Sequence, residues 1–276
     1  MRPNGEAIPE RARSKEDVLR LLSESAACPP AIGKKRQMKF LILQHTPWAG
    51  PGRLLLEAVG KHRLDCDIVK VWQDWIPDFN DYGAIILLGG SPNVDQEEKY
   101  PFLVEEKRFI KRAIGADKPI LGFCLGHQLL ASVLGAQVGP NFKPSIGFVR
   151  GHLTHDGREH PAFRNLGKAM PMFKWHSQTV LEPLPKHFSL LATSEQCQVE
   201  AFSLEQRPHI LGLQFDNHVA LAEDISLWLE QDWQWLASFR SLVVRPADML
   251  AEARRLRTTI SDDFQQFFSD YLSLIS

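Results

Sequence analysis

Apolar and polar positions alternate along the chain in blocks that match the lengths of strands and helices. Four runs are nearly continuous in apolar residues, namely residues 40–43, 66–71, 84–88 and 119–121. Residues 54–61 and 101–114, which lie between them, carry apolar side chains at helical spacing. Strands buried on both faces are apolar throughout. The alternation therefore predicts an α/β fold with a mostly parallel sheet and helices on both faces.

The pattern changes after the fourth apolar run. Residues 147–215 contain further strand-like segments, which predict an antiparallel extension on one side of the sheet. Residues 222–236 then predict a helix whose apolar face includes Trp228 and Trp233. We expect both tryptophans to be anchored in the core.

Two helical patterns follow, in residues 246–257 and 260–275, and they predict a C-terminal helical pair. The second carries an apolar stripe formed by Ile260, Phe264, Phe267, Phe268, Tyr271, Leu272 and Ile275. Such a stripe must be covered, either by the main body or by a second copy of the chain in a homodimer. A short connection favours docking on the main body. We therefore predict three parts: a polar extension (1–37), an α/β domain (38–240) and a helical appendage (241–276).

The composition and charge of the chain limit which binding partners and which cellular compartment we expect. The 276 residues carry a formal net charge of -1 and are 44% hydrophobic, which is typical of a globular protein and argues against nucleic-acid or anionic-membrane binding. No apolar run approaches the length of a membrane span, and the N-terminal residues lack the apolar core of a secretory signal. Four cysteines without paired spacing indicate a reducing compartment, so we expect a cytoplasmic protein.

Cys124 is the most informative residue. It lies in Gly122-Phe123-Cys124-Leu125-Gly126, between the apolar run 119–121 and the helical stretch 129–134. A sharp strand-to-helix turn of this kind is a nucleophile elbow, in which small flanking residues leave room for a strained backbone and a substrate. A thiol at a helix N-terminus is also favoured as the thiolate.

A thiol nucleophile needs donors for the oxyanion that it creates. Gly89-Gly90 ends an apolar run at the edge of the sheet where open α/β folds place their sites. We predict that the backbone N–H groups of Gly90 and Leu125 form the oxyanion hole.

The order of these motifs resembles the class I glutamine amidotransferase family. The motifs are Gly89-Gly90-Ser91, Gly122 to Gln128, Trp175-His176-Ser177 and Gly212 to Phe215, and the resemblance covers about residues 38–240. It is closest to stand-alone proteins that are similar to the glutaminase part of GMP synthase. The resemblance implies a flavodoxin-like, doubly wound fold and a γ-glutamyl thioester on Cys124. It also implies that Gln128 and the stretch Trp175, His176, Ser177 and Gln178 recognise glutamine.

The sequence departs from the family where the catalytic base is expected. The family continues its Gln-Phe strand with His, one residue and Glu, whereas this chain has Asp216, Asn217 and His218. A carboxylate beside Cys124 opposes formation of the thiolate, and at its reference pKa Asp216 is a poor base for a thiol. We take Asp216 and His218 as the catalytic candidates beside Cys124.

Three functions fit this departure. The first is an active amidase or amidotransferase in which His218 bonds Asp216, moves toward the thiol or acts through water. The second is a pseudoenzyme that binds an amide without turnover, and the third is a γ-glutamyl peptidase or hydrolase. Because the chain has no recognisable synthetase domain, ammonia from an amidotransferase would have to pass to a partner protein.

Other chemistry finds little support in the sequence. His176 is an alternative base, although the resemblance places it near the substrate. The histidines in residues 152–160 lie in a polar stretch that we interpret as a solvated turn, so no metal site is predicted. Neither a phosphate-binding nor a dinucleotide-binding glycine motif is present, so ATP, NAD and flavin cofactors are not expected.

Overall fold

The computed structural model of the protein describes residues 38–239 and 244–276. The predicted polar extension, residues 1–37, lies outside the described residues, and the three-part division stays a prediction. No helix in the described ranges is long and apolar enough to cross a bilayer. Three cysteines are described, Cys66, Cys124 and Cys197, and all three are free thiols.

The described residues form one nine-stranded mixed sheet with helices packed against it. The strands are β1 (Lys39–Gln44), β2 (Asp65–Lys70), β3 (Ala84–Leu87), β4 (Ile120–Phe123), β5 (Val138–Leu153), β6 (Ala169–Val180), β7 (Phe188–Ser194), β8 (Cys197–Leu204) and β9 (Arg207–Leu213). The α-helices are α1 (Gly52–Lys61), α2 (Phe102–Gly115), α3 (Leu125–Val133), α4 (His155–Glu159), α5 (Ala222–Gln231), α6 (Trp233–Ser238) and α7 (Pro246–Ile275).

The strand order is β2-β1-β3-β4-β9-β8-β7-β5-β6. The first five strands in this order are parallel and the remaining pairs are antiparallel, which confirms the predicted α/β class with a flavodoxin-like parallel half. The predicted antiparallel extension is partly wrong, because β9 pairs in parallel with β4 and antiparallel with β8. β9 thus joins the two halves and ends beside β4, the strand that leads to Cys124.

Alternate side chains of the central strands pack into two separate hydrophobic cores, one on each face of the sheet. In β1, Phe40 and Ile42 point into one cluster with α1, α5 and α7, whereas Leu41 and Leu43 point into another with α2 and α3. This is the period of two that a strand imposes, and it explains why the strands of the parallel half are apolar on both faces.

The C-terminal region is one continuous helix of 30 residues rather than the predicted pair. Its sequence has no glycine, and its single proline is at the first helical position, so nothing interrupts it. The predicted apolar stripe docks on the main body: the ring of Phe268 lies 6.0 Å from that of Phe40, and the hydroxyl of Tyr271 donates to the carbonyl of His209.

The helix predicted for residues 222–236 is instead broken at Asp232. This residue ends α5 and precedes α6, with φ -100° and ψ 12°. Trp228, before the break, is buried as predicted. The prediction for Trp233 is wrong, because this side chain, which directly follows the break, is 60% exposed.

We expect Phe268→Ala to destabilise the fold by about 3–5 kcal/mol, because it removes a fully buried ring and leaves a cavity between α7 and the sheet. Urea denaturation measures the free energy of unfolding. Asp262→Ala, an exposed change on the same helix, is the matched control and should alter it by less than about 0.5 kcal/mol. Equal effects of the two changes would mean that the helix is not part of the core.

Candidate active site

Cys124 occupies a strained turn between β4 and α3. Its φ of 46° and ψ of -105° lie outside the regions that a residue with a side chain ordinarily adopts. The glycines on either side make the turn possible. A Cβ on Gly122 would lie 2.6 Å from the carbonyl oxygen of Gly126, and one on Gly126 would lie 2.3 Å from that of Leu87. The local geometry is therefore that of the predicted nucleophile elbow.

Hydrogen bonds fix the elbow to its neighbours in the sheet. The N–H of Cys124 donates to the carbonyl of Leu213 on β9 (2.8 Å), and the N–H of Gly126 donates to that of Leu88 (3.0 Å). The amide of Gln128 donates to the carbonyl of Gln178 (2.9 Å) and to the side chain of Gln214. The nucleophile is thus held by both strands that flank β4 and by β6.

A pocket opens over Cys124 and brings together most of the predicted site. Its lining includes Cys124, the oxyanion candidate Gly90, and the predicted recognition residues Gln128, Trp175, His176, Ser177 and Gln178. Leu125, Asp216 and His218 are not among the residues that line it. Leu125 instead directs its backbone N–H toward the Cys124 sulfur, where it lowers the pKa of the thiol.

The turn that carries Gly90 is supported by two residues that sequence reasoning left uninterpreted. The buried His45 ring bonds the Glu106 carboxylate through Nε2 (2.7 Å) and contacts the carbonyl of Gly89 through Nδ1 (3.3 Å). The hydroxyl of Thr46 accepts from the N–H of Ser91 (3.0 Å). These contacts hold the glycine turn beside the elbow.

Asp216 lies directly behind the nucleophile. A Cβ on Gly89 would be 3.3 Å from Asp216 Oδ1 and 3.4 Å from the Cβ of Cys124, so the carboxylate and the thiol share one small space. Burial, and secondarily the charge of Asp216, raise the pKa of the Cys124 thiol well above its usual value. Burial raises the pKa of Asp216 to about 8. Burial thus brings the pKa of Asp216 far above its reference value, while the pKa of the thiol rises as well.

Asn217 fixes the position of Asp216 by clamping the end of β9 onto β6. Its side-chain oxygen accepts from the N–H of Phe173 (2.8 Å) and its amide donates to the carbonyl of Pro171 (2.9 Å). The N–H of Asp216 in turn donates to the carbonyl of Phe173 (2.8 Å). Sequence analysis missed this role, because an Asn between two catalytic candidates has no pattern of its own.

His218 lies away from the pocket lining. Its ring packs on that of Phe123, with centroids 4.3 Å apart, and burial lowers its pKa to about 3. Among the described residues, the Asp216 carboxylate has no hydrogen-bond partner apart from the Cys124 thiol, and Nδ1 of His218 has none. The bond between Asp216 and His218, one of three ways in which the first function could work, is therefore not formed in this structure.

Lys174 and Glu200 form a buried ion pair near the site, which sequence analysis did not identify. Both side chains are fully buried, and the Lys174 ammonium bonds the Glu200 carboxylate, which also accepts from the Ser194 hydroxyl (2.6 Å). The positive charge of Lys174 lowers the pKa of both Cys124 and Asp216 and so opposes the effect of burial.

His176 lies in the pocket lining with a defined orientation. Its Nδ1 contacts the carbonyl of Gln178 (2.8 Å), which requires a proton on Nδ1 and leaves Nε2 as an acceptor. Nε2 is buried and has no partner among the described residues. Burial lowers the pKa of His176 well below its usual value, so the ring is neutral.

The histidines of residues 152–160 do not converge. His155 is exposed and lies 3.5 Å from the carboxylate of its neighbour Asp156, whereas His160 is buried and contacts the carbonyl of Pro208. Across the described ranges, no group of three or more His, Cys, Asp or Glu side chains is arranged to hold a metal ion.

Asp216→Asn should stabilise the protein increasingly as the pH rises from about 4 to about 8. The native carboxyl, with its pKa raised to about 8 from 3.8, keeps its proton in this window while the unfolded chain loses it, so the wild type loses stability. The gain should reach a few kcal/mol, on the order expected from such a shift, and level off above pH 8. Urea denaturation at pH 5, 7 and 9 measures it, with the exposed Asp95→Asn as control. A gain independent of pH would contradict the raised pKa.

Comparisons with known proteins agree with this geometry. The family model for "Glutamine amidotransferase class-I" matches residues 52–218. A glutamine-hydrolyzing GMP synthase subunit of Methanocaldococcus jannaschii is 33% identical over 138 residues, which cover 50% of this chain and 66% of that protein. Its namesake in Sulfurisphaera tokodaii is 34% identical over 143 residues, covering 52% and 71%. That in Thermococcus kodakarensis is 42% identical over 105 residues, covering 38% and 53%. The chain thus spans between about half and 71% of the length of these relatives.

Solved structures give a longer match. A glutamine amidotransferase from Thermotoga maritima superposes with a TM-score of 0.76 at 25% identity, covering 87% of this chain and 99% of its own. One from Methylobacillus flagellatus gives a TM-score of 0.76 at 20% identity and supports the fold alone. The region matched by the family model includes the Cys124 elbow, the pocket residues of β6 and the Asp216–His218 segment. The chain therefore belongs to the class I glutamine amidotransferase family.

Proposed function

We propose that the protein is a thiol-dependent amidase that hydrolyses the side-chain amide of glutamine, or a γ-glutamyl amide, through a thioester on Cys124. The observation that carries the proposal is the buried Asp216 carboxylate beside the thiol at the head of an elbow that opens into a pocket. In this proposal Asp216 takes the role of proton acceptor that the family gives to an imidazole.

The pKa of about 8 makes this role physically reasonable. A general base is most effective when its pKa lies near the working pH, and burial moves Asp216 into that range. The ionised carboxylate accepts the thiol proton while sulfur attacks the amide carbon. The protonated carboxyl then donates to the leaving nitrogen as the C–N bond breaks. In the second half, Asp216 accepts a proton from the water that attacks the thioester carbon. The C–S bond then breaks, the acid product leaves, and the sulfur takes the proton back from Asp216, which restores the thiol and the ionised carboxylate.

The remaining predicted residues receive roles from their positions. The N–H of Gly90 stabilises the oxyanion, joined by that of Leu125, which bonds the Cys124 sulfur before substrate arrives. Gln128 and the β6 stretch Trp175 to Gln178 bound the pocket that holds the substrate. His218 is neutral near physiological pH and packs against Phe123, so we assign it a positioning role behind the elbow. A cytoplasmic location remains a prediction from the cysteine pattern.

A second candidate function is a binding module without turnover. The observation that favours it is the high pKa of Cys124, because burial and a neighbouring carboxylate both oppose the reactive thiolate. Such a protein would retain the pocket and bind an amide non-covalently. Turnover assays separate it from the amidase.

The proposal also includes a partner protein that uses the released ammonia. The matched relatives are named as subunits of a glutamine-hydrolyzing GMP synthase. By analogy we propose that ammonia released here is used by a separate synthetase, and that activity on free glutamine is low without it. If the acceptor is instead water alone, a γ-glutamyl peptide should be the better substrate.

Wild-type protein should release ammonia from glutamine, or the amine from γ-glutamyl dipeptides, at a rate that rises with pH through about 8. The rise follows from ionisation of Asp216, which must lose its proton to act as a base. Cys124→Ala should abolish turnover and Asp216→Asn should lower it by about 10²-fold or more. Cys66→Ala, a thiol on β2 away from the pocket, is the control and should have no effect. Turnover that survives in Cys124→Ala would refute the thioester mechanism.

The double change Asp216→His with His218→Glu should raise turnover at pH 7 by about 10-fold or more, because an imidazole is a better base than a protonated carboxyl at that pH. Asp216→His alone is the matched control, since it adds the ring without the orienting carboxylate. A silent wild type with an active double variant would identify a binding module. A folded double variant that is slower than an active wild type would contradict the assigned role of Asp216.

A further inference from the structure

The pocket has a second wall that the family motifs do not include. It consists of Trp48, Trp175, Trp228, Asp232 and Trp235, which we call the tryptophan–aspartate wall, and all five residues line the cavity that contains Cys124. Three of them, Trp228, Asp232 and Trp235, lie C-terminal to residue 218, where the match to the family model ends. This wall is therefore a candidate for what distinguishes the substrate of this chain.

Asp232 ties the wall together. It lies between α5 and α6, where the sequence predicted a continuous helix over residues 222–236, and its carboxylate accepts from the indole N–H of Trp175 (2.9 Å). Burial raises the pKa of Asp232, and hydrogen bonds from the indoles of Trp175 and Trp48 oppose that rise. Trp48 and Trp175 are thus both bonded to Asp232, which lies between α5 and α6.

The rings of the wall pack on one another but do not fill the cavity. The Trp175 ring lies 5.8 Å from that of Trp228 in an edge-on arrangement and 6.2 Å from that of Trp235. Trp175 and Trp228 are buried, whereas Trp48 and Trp235 are only half-buried. The cavity is therefore bordered by two partly open indole rings.

The charge of the lining favours a cation. Among the residues that line this cavity in the described ranges, Asp232 is the one carboxylate, and there is no Lys or Arg. His176, which also lines it, is neutral because burial lowers its pKa. Indole rings together with a carboxylate are a favourable environment for an ammonium group, through cation–π attraction and ion pairing.

We propose that the tryptophan–aspartate wall binds a protonated amine of the substrate, so that the preferred amide carries an ammonium group and Asp232 determines this specificity. The inference rests on the proposed function in that the ligand is an amide that reaches Cys124. Two sources supply the same chemistry: the α-ammonium of a glutamyl group, or an ammonium on the amine side of the scissile bond.

Two matched pairs of probes distinguish these sources. L-Glutamine and glutaramate (4-carbamoylbutanoate) differ only in the α-ammonium. The N-(4-aminobutyl) and N-pentyl γ-amides of glutamate are nearly isosteric and differ in a terminal ammonium. Binding is measured by isothermal titration calorimetry on full-length Cys124→Ala protein, in which no turnover occurs, so the result does not depend on whether the enzyme is active.

In at least one pair, the member with the ammonium should bind about 10-fold tighter or more. When Asp232→Asn is added to the Cys124→Ala protein, most of this preference should be lost. The asparagine side chain keeps the shape and an acceptor oxygen of the aspartate but not its charge. Trp235→Leu, which keeps the carboxylate, should reduce the preference to a smaller extent. Adding Glu230→Gln, which removes an exposed negative charge two residues from Asp232, is the matched control and should retain it.

Equal binding within both pairs would overturn the inference, as would a preference that survives Asp232→Asn or the absence of binding by all four probes at millimolar concentration. Failure of the proposed function gives a different result. A charge preference in the Cys124→Ala protein, together with no thiol-dependent turnover in the wild type, would refute the amidase and leave the cation site in place.

Discussion

The contact between the Asp216 carboxylate and the Cys124 thiol sets the chemistry of this site. Burial raises the pKa of both groups, and the charge of Asp216 raises the pKa of the Cys124 thiol further, whereas a hydrogen bond from the thiol lowers the pKa of Asp216. A Cys–His pair works in the opposite way, because an imidazolium stabilises the thiolate. This protein therefore starts from a protonated thiol and needs a base whose pKa has been raised to meet it.

Lys174, which is paired with Glu200, limits how far the pKa values of Cys124 and Asp216 rise. Replacing one member of a buried pair by a neutral residue is strongly destabilising, because it leaves an uncompensated charge. The pair lies on β6 and β8, and β8 is next to the strand that ends before Asp216. Lys174 lowers the pKa of the thiol and of the carboxyl together. The site thus combines a carboxylate at the nucleophile with a nearby fixed cation, which is a different electrostatic solution from an imidazole.

Sequence patterns were sufficient to predict the parts of the fold and site that depend on interactions between neighbouring residues. The apolar runs predicted the parallel strands, and the glycines around Cys124 predicted the elbow, because both depend on neighbouring residues. The stretch Trp175 to Gln178 was identified through the family resemblance, and it does line the pocket.

Long-range features were not predictable in this way. The raised pKa of Asp216 comes from burial by residues distant in sequence, and the Lys174–Glu200 pair joins two strands that no spacing rule connects. The helix break at Asp232 was not predicted either. Residues 222–236 keep helical periodicity throughout, and the hydrogen bond that Asp232 accepts comes from Trp175, 57 positions earlier in the chain.

The most direct test of the coupling between Asp216 and Cys124 is the pH dependence of Cys124 alkylation by iodoacetamide, followed by mass spectrometry in wild type and in Asp216→Asn. We expect the wild-type thiol to react slowly up to about pH 9, and Asp216→Asn to shift the onset of the reaction to lower pH, because the like charge is removed. A wild-type thiol that already reacts rapidly near pH 6, or an onset unchanged by Asp216→Asn, would contradict this coupling.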